Sequence, residues 1–179
     1  MKKPNINLLA VIVALPVIGM TIIAPALTII KNDLNISFEN TQLILTLYFT
    51  FLAFGQILSG PFSDKYGRKP ILLLGASIYS ISAFFASLSS NIEILLILRC
   101  FQGFGAAACL SVGRTILSDC YEIKEAAKEM SKMTAIMAVI PISCFIFGGF
   151  LAEFLGWRTN LLALGLISLI LIIAMSFLL

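Results

Sequence analysis

Six long apolar runs, separated by short polar segments, constrain the fold of this chain more than any other feature. Each run has about the 20 apolar residues that a helix needs to cross a bilayer. The runs cover residues 6–30, 41–62, 71–90, 92–115, 130–152 and 160–179. With 60% hydrophobic and 12% charged residues, the chain carries more apolar surface than a soluble fold can bury. We therefore predict an all-α polytopic membrane protein whose six transmembrane helices lie in a lipid bilayer.

The first run could be mistaken for a secretory signal peptide. Lys2 and Lys3 precede it, and Ala24-Pro25-Ala26 is similar to a small-residue cleavage site. However, the run from Ile6 to Ile30 is far longer than the ~7–15 apolar residues of a signal peptide. We interpret it as an uncleaved first transmembrane helix.

The distribution of basic residues predicts the orientation in the membrane, because cytoplasmic loops are rich in Lys and Arg. If the spans alternate, Lys31 and Arg158 lie on one side and Arg99 lies within a span. The other nine bases share the side of the N-terminus: Lys2, Lys3, Lys65, Arg68, Lys69, Arg114, Lys124, Lys128 and Lys132. We therefore expect the N-terminus, and after six spans also the C-terminus, to be cytoplasmic.

The composition also excludes several classes of function. The chain has no histidine, which removes histidine-based catalysis and most zinc sites, and we predict no metal site. It has no basic tract that would indicate nucleic-acid binding. The four cysteines form no CxxC pair, so we interpret them as small apolar-compatible side chains and predict no disulfide. No nucleophile–base constellation or intramembrane acid pair indicates a membrane-embedded enzyme, so we expect no catalytic residues.

The segment 60–70 is a short polar island between the second and third runs. It follows the pattern Gly60-x-x-x-Asp64-x-x-Gly67-Arg68-Lys69-Pro70. We expect Gly60 to let a neighbouring helix approach closely, and Gly67 to adopt the positive φ of a tight reversal. Pro70 would start the third helix, where its missing N–H costs nothing. An ordinary positive-inside loop would explain the three bases but not the spaced glycines together with the acid.

This pattern resembles the loop between the second and third helices of the major facilitator superfamily. The whole chain resembles the first six of twelve helices in the Bcr/CflA-type (bicyclomycin resistance) drug:proton antiporters of that superfamily. The resemblance implies two three-helix repeats of inverted topology. It also implies that the acid of the loop holds the two halves together on the cytoplasmic side in the outward-facing state. In this chain the corresponding charge cluster would comprise Asp64, Arg68 and Asp119, with Arg114 nearby.

The fourth run contains Arg99 about eight residues from the predicted outer turn, roughly 12 Å deep at the helical rise. An arginine at this depth must face a partner or a wet cavity. Gln102 follows on the same face, and Gly103 permits close helix packing. Arg99 could be purely structural, bonded to backbone carbonyls of the bundle. The resemblance instead implies a role in proton coupling and cavity polarity.

The fifth run contains Pro141 and the pair Gly148-Gly149, which resembles the antiporter motif of the family. The second proline of that motif is absent, because its place is Phe145, and a simple small-residue packing site remains an alternative. In the first run, Pro25 is expected to free backbone polar groups that line a cavity. Relatives usually carry an aspartate four residues before this proline, where the present chain has Thr21.

All nine acids lie near the ends of the predicted spans, so no carboxylate is expected at mid-depth, where proton antiport usually needs one. The mixed charges of the segment 116–129 predict a solvated or membrane-surface helix. The last run ends at or just inside the membrane boundary without a charged residue after it, which favours a truncated chain.

Together these features lead to two hypotheses. The first is half of a transporter for small drugs or metabolites, located in the inner (plasma) membrane. It would use the proton gradient as its energy source without a cofactor, and would bind its small-molecule substrate with a separate C-terminal six-helix half or a second copy. The second is a truncated or decayed membrane remnant, or an assembly partner, that does not transport.

Overall fold

The computed structural model describes residues 6–178, and within this range all regular structure is helical. Taking the first, interrupted helix as one, six helices are long and apolar enough to cross a membrane. Their segments are α1 (Ile6–Thr21), a 3-10 turn (Ala24–Ala26), α2 (Leu27–Asp33), α3 (Phe38–Tyr66), α4 (Arg68–Ser87), α5 (Ile92–Cys120), α6 (Ile123–Leu155) and α7 (Trp157–Leu178). The all-α six-helix fold is therefore confirmed, whereas the cytoplasmic placement of both termini stays a prediction.

The first helix is broken near its middle. α1 ends at Thr21, and the chain passes through the 3-10 turn before α2 begins at Leu27. Pro25 stands inside this turn, and it has no N–H with which to continue the hydrogen-bond ladder. Pro16, by contrast, lies within α1 without ending it. The break leaves backbone carbonyls that other helices must pair, since a membrane supplies no water to do so.

Two glycines reverse the chain between consecutive helices. Gly67 separates α3 from α4 with φ +95°, and Gly156 separates α6 from α7 with φ +85°. The positive φ expected at Gly67 is therefore present, in a region that side chains other than glycine rarely adopt. The expected loop 63–70 is shorter than the sequence indicated, because α3 continues to Tyr66 and α4 already begins before Pro70.

The charged residues of the segment 116–129 lie mostly on exposed helical turns, as the first of the two expected alternatives states, but they do not form a separate helix on the membrane surface. α5 continues through Cys120, and α6 begins at Ile123, so the charged residues belong to the ends of two long helices. A helix keeps its internal hydrogen bonds when it leaves an apolar environment, so its polar end can extend into water without a break.

The pattern of helix contacts relates the first three helices to the last three. α3 packs along α5 and α6 packs along α1, while α4 packs against α7. When the first three helices are matched in order to the last three, the α3–α5 contact corresponds to the α6–α1 contact. The α4–α7 contact corresponds to itself, as expected for inverted repeats. The first helix lies at the centre, with 67% of its most apolar window buried, whereas α3 and α6 bury only 22% and 11% of theirs.

Glycines allow the backbones of neighbouring helices to approach closely. A Cβ at Gly103 would collide with the Tyr48 carbonyl oxygen, and one at Gly148 would collide with that of Ile22. Gly60 behaves differently, because no atom lies within 4 Å of the position its Cβ would take. The close approach expected at Gly60 is thus not found within the described chain. Small residues serve packing only where a second backbone lies opposite them.

We expect Gly103→Ala to destabilise the bundle by about 1–3 kcal/mol, because the added methyl group forces α3 and α5 apart. Thermal unfolding of the protein in lipid nanodiscs measures this effect. Gly60→Ala is the matched control, since it adds the same group where space is open and favours the helix by about 1 kcal/mol. Equal melting temperatures for Gly103→Ala and the unchanged chain would contradict the packing role of Gly103.

Candidate functional site

Four side chains where α3, α4 and α5 meet form what we call the helix-end cluster: Ser63, Asp64, Arg68 and Asp119. Arg68 Nε donates to Asp119 Oδ2 at 3.0 Å. Its Nη1 donates to Ser63 Oγ at 2.6 Å and also pairs with Asp64. One guanidinium thus connects the ends of three helices, and the structure brings together the three charged residues that the resemblance implied.

The helix-end cluster is partly open to its surroundings. The exposed fractions of the side chains are 25% for Arg68, 66% for Asp64 and 42% for Asp119. Ion pairs with this degree of exposure contribute about 0–1 kcal/mol to stability. The cluster therefore orients the helix ends more than it stabilises the fold.

Two further residues predicted for this region lie outside the cluster. Lys69 Nζ donates to the Ser176 carbonyl oxygen near the end of α7 at 3.2 Å. Arg114, which was expected near the cluster, is exposed and forms no ion pair with the described residues. Arg114 and Asp119 are separated by five residues, which places them on different faces of α5 at about 100° per residue.

Arg99 is fully buried in the centre of the six-helix bundle. Its Nη1 donates to Gln102 Oε1 at 2.6 Å, and its Nη2 donates to the Gly19 carbonyl oxygen at 3.2 Å. Its guanidinium lies 4.4 Å from the centre of the Tyr48 ring, a cation–π contact. Among the described residues no carboxylate pairs with it, so the positive charge is balanced only by dipoles and an aromatic ring.

Two buried tyrosines, which the sequence analysis did not single out, also bind the first helix. Tyr48 donates its hydroxyl to the Pro16 carbonyl oxygen at 2.9 Å, and Tyr79 donates to that of Leu15 at 3.2 Å. A tyrosine inside an apolar span could have indicated this role, because a buried hydroxyl needs a hydrogen-bond partner.

Asn160 is a second functional candidate that the sequence analysis missed. Its Nδ2 donates to the carbonyl oxygens of Ile22, at 2.8 Å, and of Gly148, at 3.0 Å. It therefore ties α7 both to the break in the first helix and to α6. An amide within an otherwise apolar run was the available signal, since buried polar side chains in membranes require partners.

The residues predicted from the first and fifth spans meet at this same break. Gly148 packs directly on Ile22, and a Cβ added at Gly149 would lie 3.6 Å from the Pro25 side chain, an ordinary contact distance. Thr21 donates its hydroxyl to the Val17 carbonyl oxygen of its own helix at 2.8 Å. Pro141 lies two turns before the glycine pair, within a continuous α6.

The cavity-lining position expected for Arg99, Gln102 and Gly103 needs correction. Arg99 and Gln102 have no exposed surface, and Gly103 lies against the backbone of α3. They belong to the interior of the bundle because each bonds or packs against another helix of the same chain. Of the two environments expected for Arg99, the structure shows the partner and not the wet cavity.

Three buried polar atoms have no hydrogen-bond partner in the described chain: Gln102 Nε2, Asn160 Oδ1 and Glu129 Oε2. All nine acids lie within the described residues. Eight of them are exposed, whereas the Glu129 side chain, near the start of α6, is only 12% exposed and pairs with Lys132. The polar centre is therefore composed of amides, hydroxyls, carbonyls and one guanidinium.

We expect Arg99→Lys to destabilise the protein by about 1–3 kcal/mol although it keeps the charge. A lysine cannot reproduce the planar fork, so a buried carbonyl or amide oxygen loses its donor. The thermal unfolding temperature in nanodiscs checks the expectation. Arg114→Lys is the matched control at an exposed arginine of the same helix, and it should leave that temperature unchanged. Two equal shifts would refute the role of the guanidinium fork.

The sequence of the chain is similar to those of several known proteins. The chain is 32% identical over 162 residues to the bicyclomycin resistance protein homolog of Haemophilus influenzae, covering 90% of this chain and 41% of that protein. It is 33% identical over 150 residues to a chloramphenicol resistance protein of Pseudomonas aeruginosa, covering 83% and 36% of the two chains. The present chain thus spans less than half the length of these relatives.

Solved structures share the fold. A bacterial homolog of the human lysosomal transporter Spinster matches 97% of this chain with a TM-score of 0.84 and 22% identity, over 42% of its own length. A proton:xylose symporter matches 96% of this chain with a TM-score of 0.70 and 14% identity, over 44% of its length. The family model described as Major Facilitator Superfamily matches residues 9–179. With its six-helix bundle and broken first helix, the chain belongs to the major facilitator superfamily.

Proposed function

We propose that this chain is the N-terminal half of a secondary transporter that exports small drugs or metabolites across the inner (plasma) membrane in exchange for protons. The observation that carries the proposal is the buried Arg99, which binds the broken first helix without a carboxylate to neutralise it. A buried charge without an acidic partner is costly in a membrane protein and marks a functional centre. The names of the relatives, which refer to bicyclomycin and chloramphenicol resistance, support drugs as the substrate class.

The proposal assigns Arg99 an indirect role. Because Arg99 is fully buried, it does not touch a substrate in the space between two halves. It instead holds the Gly19 carbonyl oxygen, and through it the position of the break. Nearby positive charge also favours the ionised form of a carboxylate, which is how Arg99 would influence proton release.

The carboxylate that carries the proton is proposed to lie in the second half. Eight of the nine acids are exposed, and the largely covered Glu129 lies near the start of α6 and pairs with Lys132, not at the centre of the bundle. A coupling group must exchange its proton inside the protein rather than with bulk water alone. The position where relatives usually have an aspartate is occupied by Thr21, whose hydroxyl is engaged with its own helix.

The partner would be a separate six-helix half, with a second copy of this chain as the alternative. The least buried helices, α3 and α6, are available to contact it. α3 carries an exposed polar stripe of Gln42, Thr46 and Thr50, spaced four residues apart on one face. Polar side chains are rare on lipid-facing surfaces, so this stripe favours a protein partner or an aqueous substrate path.

A drug-susceptibility panel in an efflux-deficient bacterial host tests this function. Cells would express this chain alone, or this chain together with the last six helices of the Haemophilus influenzae relative. We expect resistance to at least one drug of the bicyclomycin or chloramphenicol class only for the pair, and we expect a protonophore to abolish it. Resistance from the chain alone would identify a second copy as the partner. Resistance that survives the protonophore, or no resistance from either the chain alone or the pair, would contradict the proposal.

In the paired system we expect Asp64→Asn to return resistance to the level of the empty vector. Asp64 pairs with Arg68 in the helix-end cluster, and at 66% exposure this pair adds little stability. Transport should therefore fall while the amount of protein in the membrane, measured by immunoblot, stays constant. Glu39→Gln is the control, since Glu39 is an exposed acid in the first turn of α3, far along that helix from the cluster. Unchanged resistance with Asp64→Asn would contradict a gating role for Asp64.

A further inference from the structure

The sequence around the α6–α7 junction repeats the pattern of the α3–α4 junction. Residues 64–69 read Asp-x-x-Gly-Arg-Lys, and residues 153–158 read Glu-x-x-Gly-Trp-Arg. In both segments the glycine has a positive φ and the next helix begins directly after it. The two junctions are therefore equivalent positions in the two repeats, at opposite ends of the bundle.

The second junction also holds a helix-end contact of its own. Trp157 Nε1 donates to Asp33 Oδ2 at 2.9 Å, and Arg158 Nη1 donates to the same oxygen at 2.8 Å. Arg158 Nη2 donates to the Ser89 carbonyl oxygen at 3.2 Å, and its guanidinium lies 4.3 Å from the centre of the Trp157 ring. We call these four residues the Arg158 clamp.

The Arg158 clamp corresponds to the helix-end cluster in its arginine and one aspartate. Asp33 is the last residue of α2, as Asp119 lies in the last turn of α5. The third contact differs, because Arg68 binds Ser63 and Asp64 of α3, whereas Arg158 binds the Ser89 carbonyl oxygen in the turn after α4. Trp157 also takes the place after the glycine that Arg68 has in the first repeat.

The element that the clamp holds is short. α2 has only seven residues, of which Ile30 is fully buried and Leu27 and Ile29 are partly buried against the core. A helix of this length is not stable alone in water, so its position depends on neighbouring elements. Its connection to α1 runs through the break, which lacks a continuous hydrogen-bond ladder.

The first turn of α7 binds both ends of this segment. Asn160 donates to the carbonyl oxygen of Ile22, at the start of the break. Trp157 and Arg158 donate to Asp33, at the end of α2. The four residues 157–160 therefore hold the whole stretch 22–33 from one side.

We propose that the Arg158 clamp positions α2, so that Asp33, Trp157 and Arg158 are the residues that fix the second part of the broken first helix against α7. This role depends on the fold alone and does not rest on the proposed transport activity. Asp33 Oδ2 accepts both hydrogen bonds, and Trp157 and Arg158 donate them. When the carboxylate is removed, the segment 22–33 keeps its buried apolar contacts and the Asn160 hydrogen bond at its start, but loses its hydrogen bonds to α7 at the end of α2.

Hydrogen–deuterium exchange of the full chain in nanodiscs, read peptide by peptide, tests the proposal. We expect Asp33→Asn to increase exchange in peptides covering 22–33 while peptides in α4 and α5 stay protected. Asp33→Glu keeps a carboxylate and should restore protection. Glu153→Gln is the matched control, because it removes an exposed acid at the same end of the bundle that forms no ion pair with the described residues. Asp64→Asn, at the opposite end, should leave 22–33 unchanged.

Fluorescence provides an independent readout, since Trp157 is the only tryptophan of the chain. Trp157 is 2% exposed, so loss of the clamp should shift its emission to longer wavelength and increase quenching by acrylamide. If Asp33→Asn does not fold, Arg158→Lys provides the same test, because it keeps the charge but loses the fork that reaches Ser89. Unchanged exchange in 22–33, or an equal increase in every helix, would overturn the proposal.

Discussion

The fold depends on pairing the backbone carbonyls of the first helix inside a membrane. A break leaves peptide groups without partners in their own helix, and each group left unpaired in an apolar environment would cost several kcal/mol. Four side chains, one each from α3, α4, α5 and α7, donate to carbonyl oxygens of this helix: Tyr48, Tyr79, Arg99 and Asn160. Asn160 reaches Ile22 at the break and Arg99 reaches Gly19 just before it, whereas the two tyrosines bind Pro16 and Leu15 within α1. The remaining helix, α6, contributes Gly148, whose missing side chain lets its backbone reach the break. The broken helix is therefore bound by all five other helices.

This pairing explains why a positive charge is tolerated in the core. Arg99 supplies donors that reach α1, α3 and its own helix, and the Tyr48 ring covers its face. A lysine or a neutral amide would supply fewer donors in a less suitable geometry. The charge of Arg99 is thus stabilised by hydrogen-bond acceptors and an aromatic ring, and not by an opposite charge within the described residues.

In the part of the chain that the structure describes, the ends of the bundle contain ion pairs, unlike its centre. At these ends, one arginine in each repeat pairs with a partly exposed aspartate at the end of another helix. Such ion pairs contribute little to the free energy of unfolding. They fix the orientation of the helix ends, because a guanidinium binds in a defined plane. The inverted repeat places one arginine–aspartate pair at each end of the bundle. Such a pair therefore lies beside each of the two turns formed by Gly67 and Gly156.

The sequence alone determined the helix number, the tight reversal at Gly67 and the presence of a buried arginine, because membrane insertion and backbone sterics act on local residue types. It also indicated Asp64, Arg68 and Asp119 as a group, through a family pattern. It could not identify Tyr48, Tyr79 and Asn160, since a polar residue in an apolar run has many possible partners. Only the tertiary structure decided that Gly60 faces open space while Gly103 meets a backbone, and that Arg99 binds the first helix. Composition sets which helices form, whereas the relative rotation and depth of packed helices decide which side chains meet.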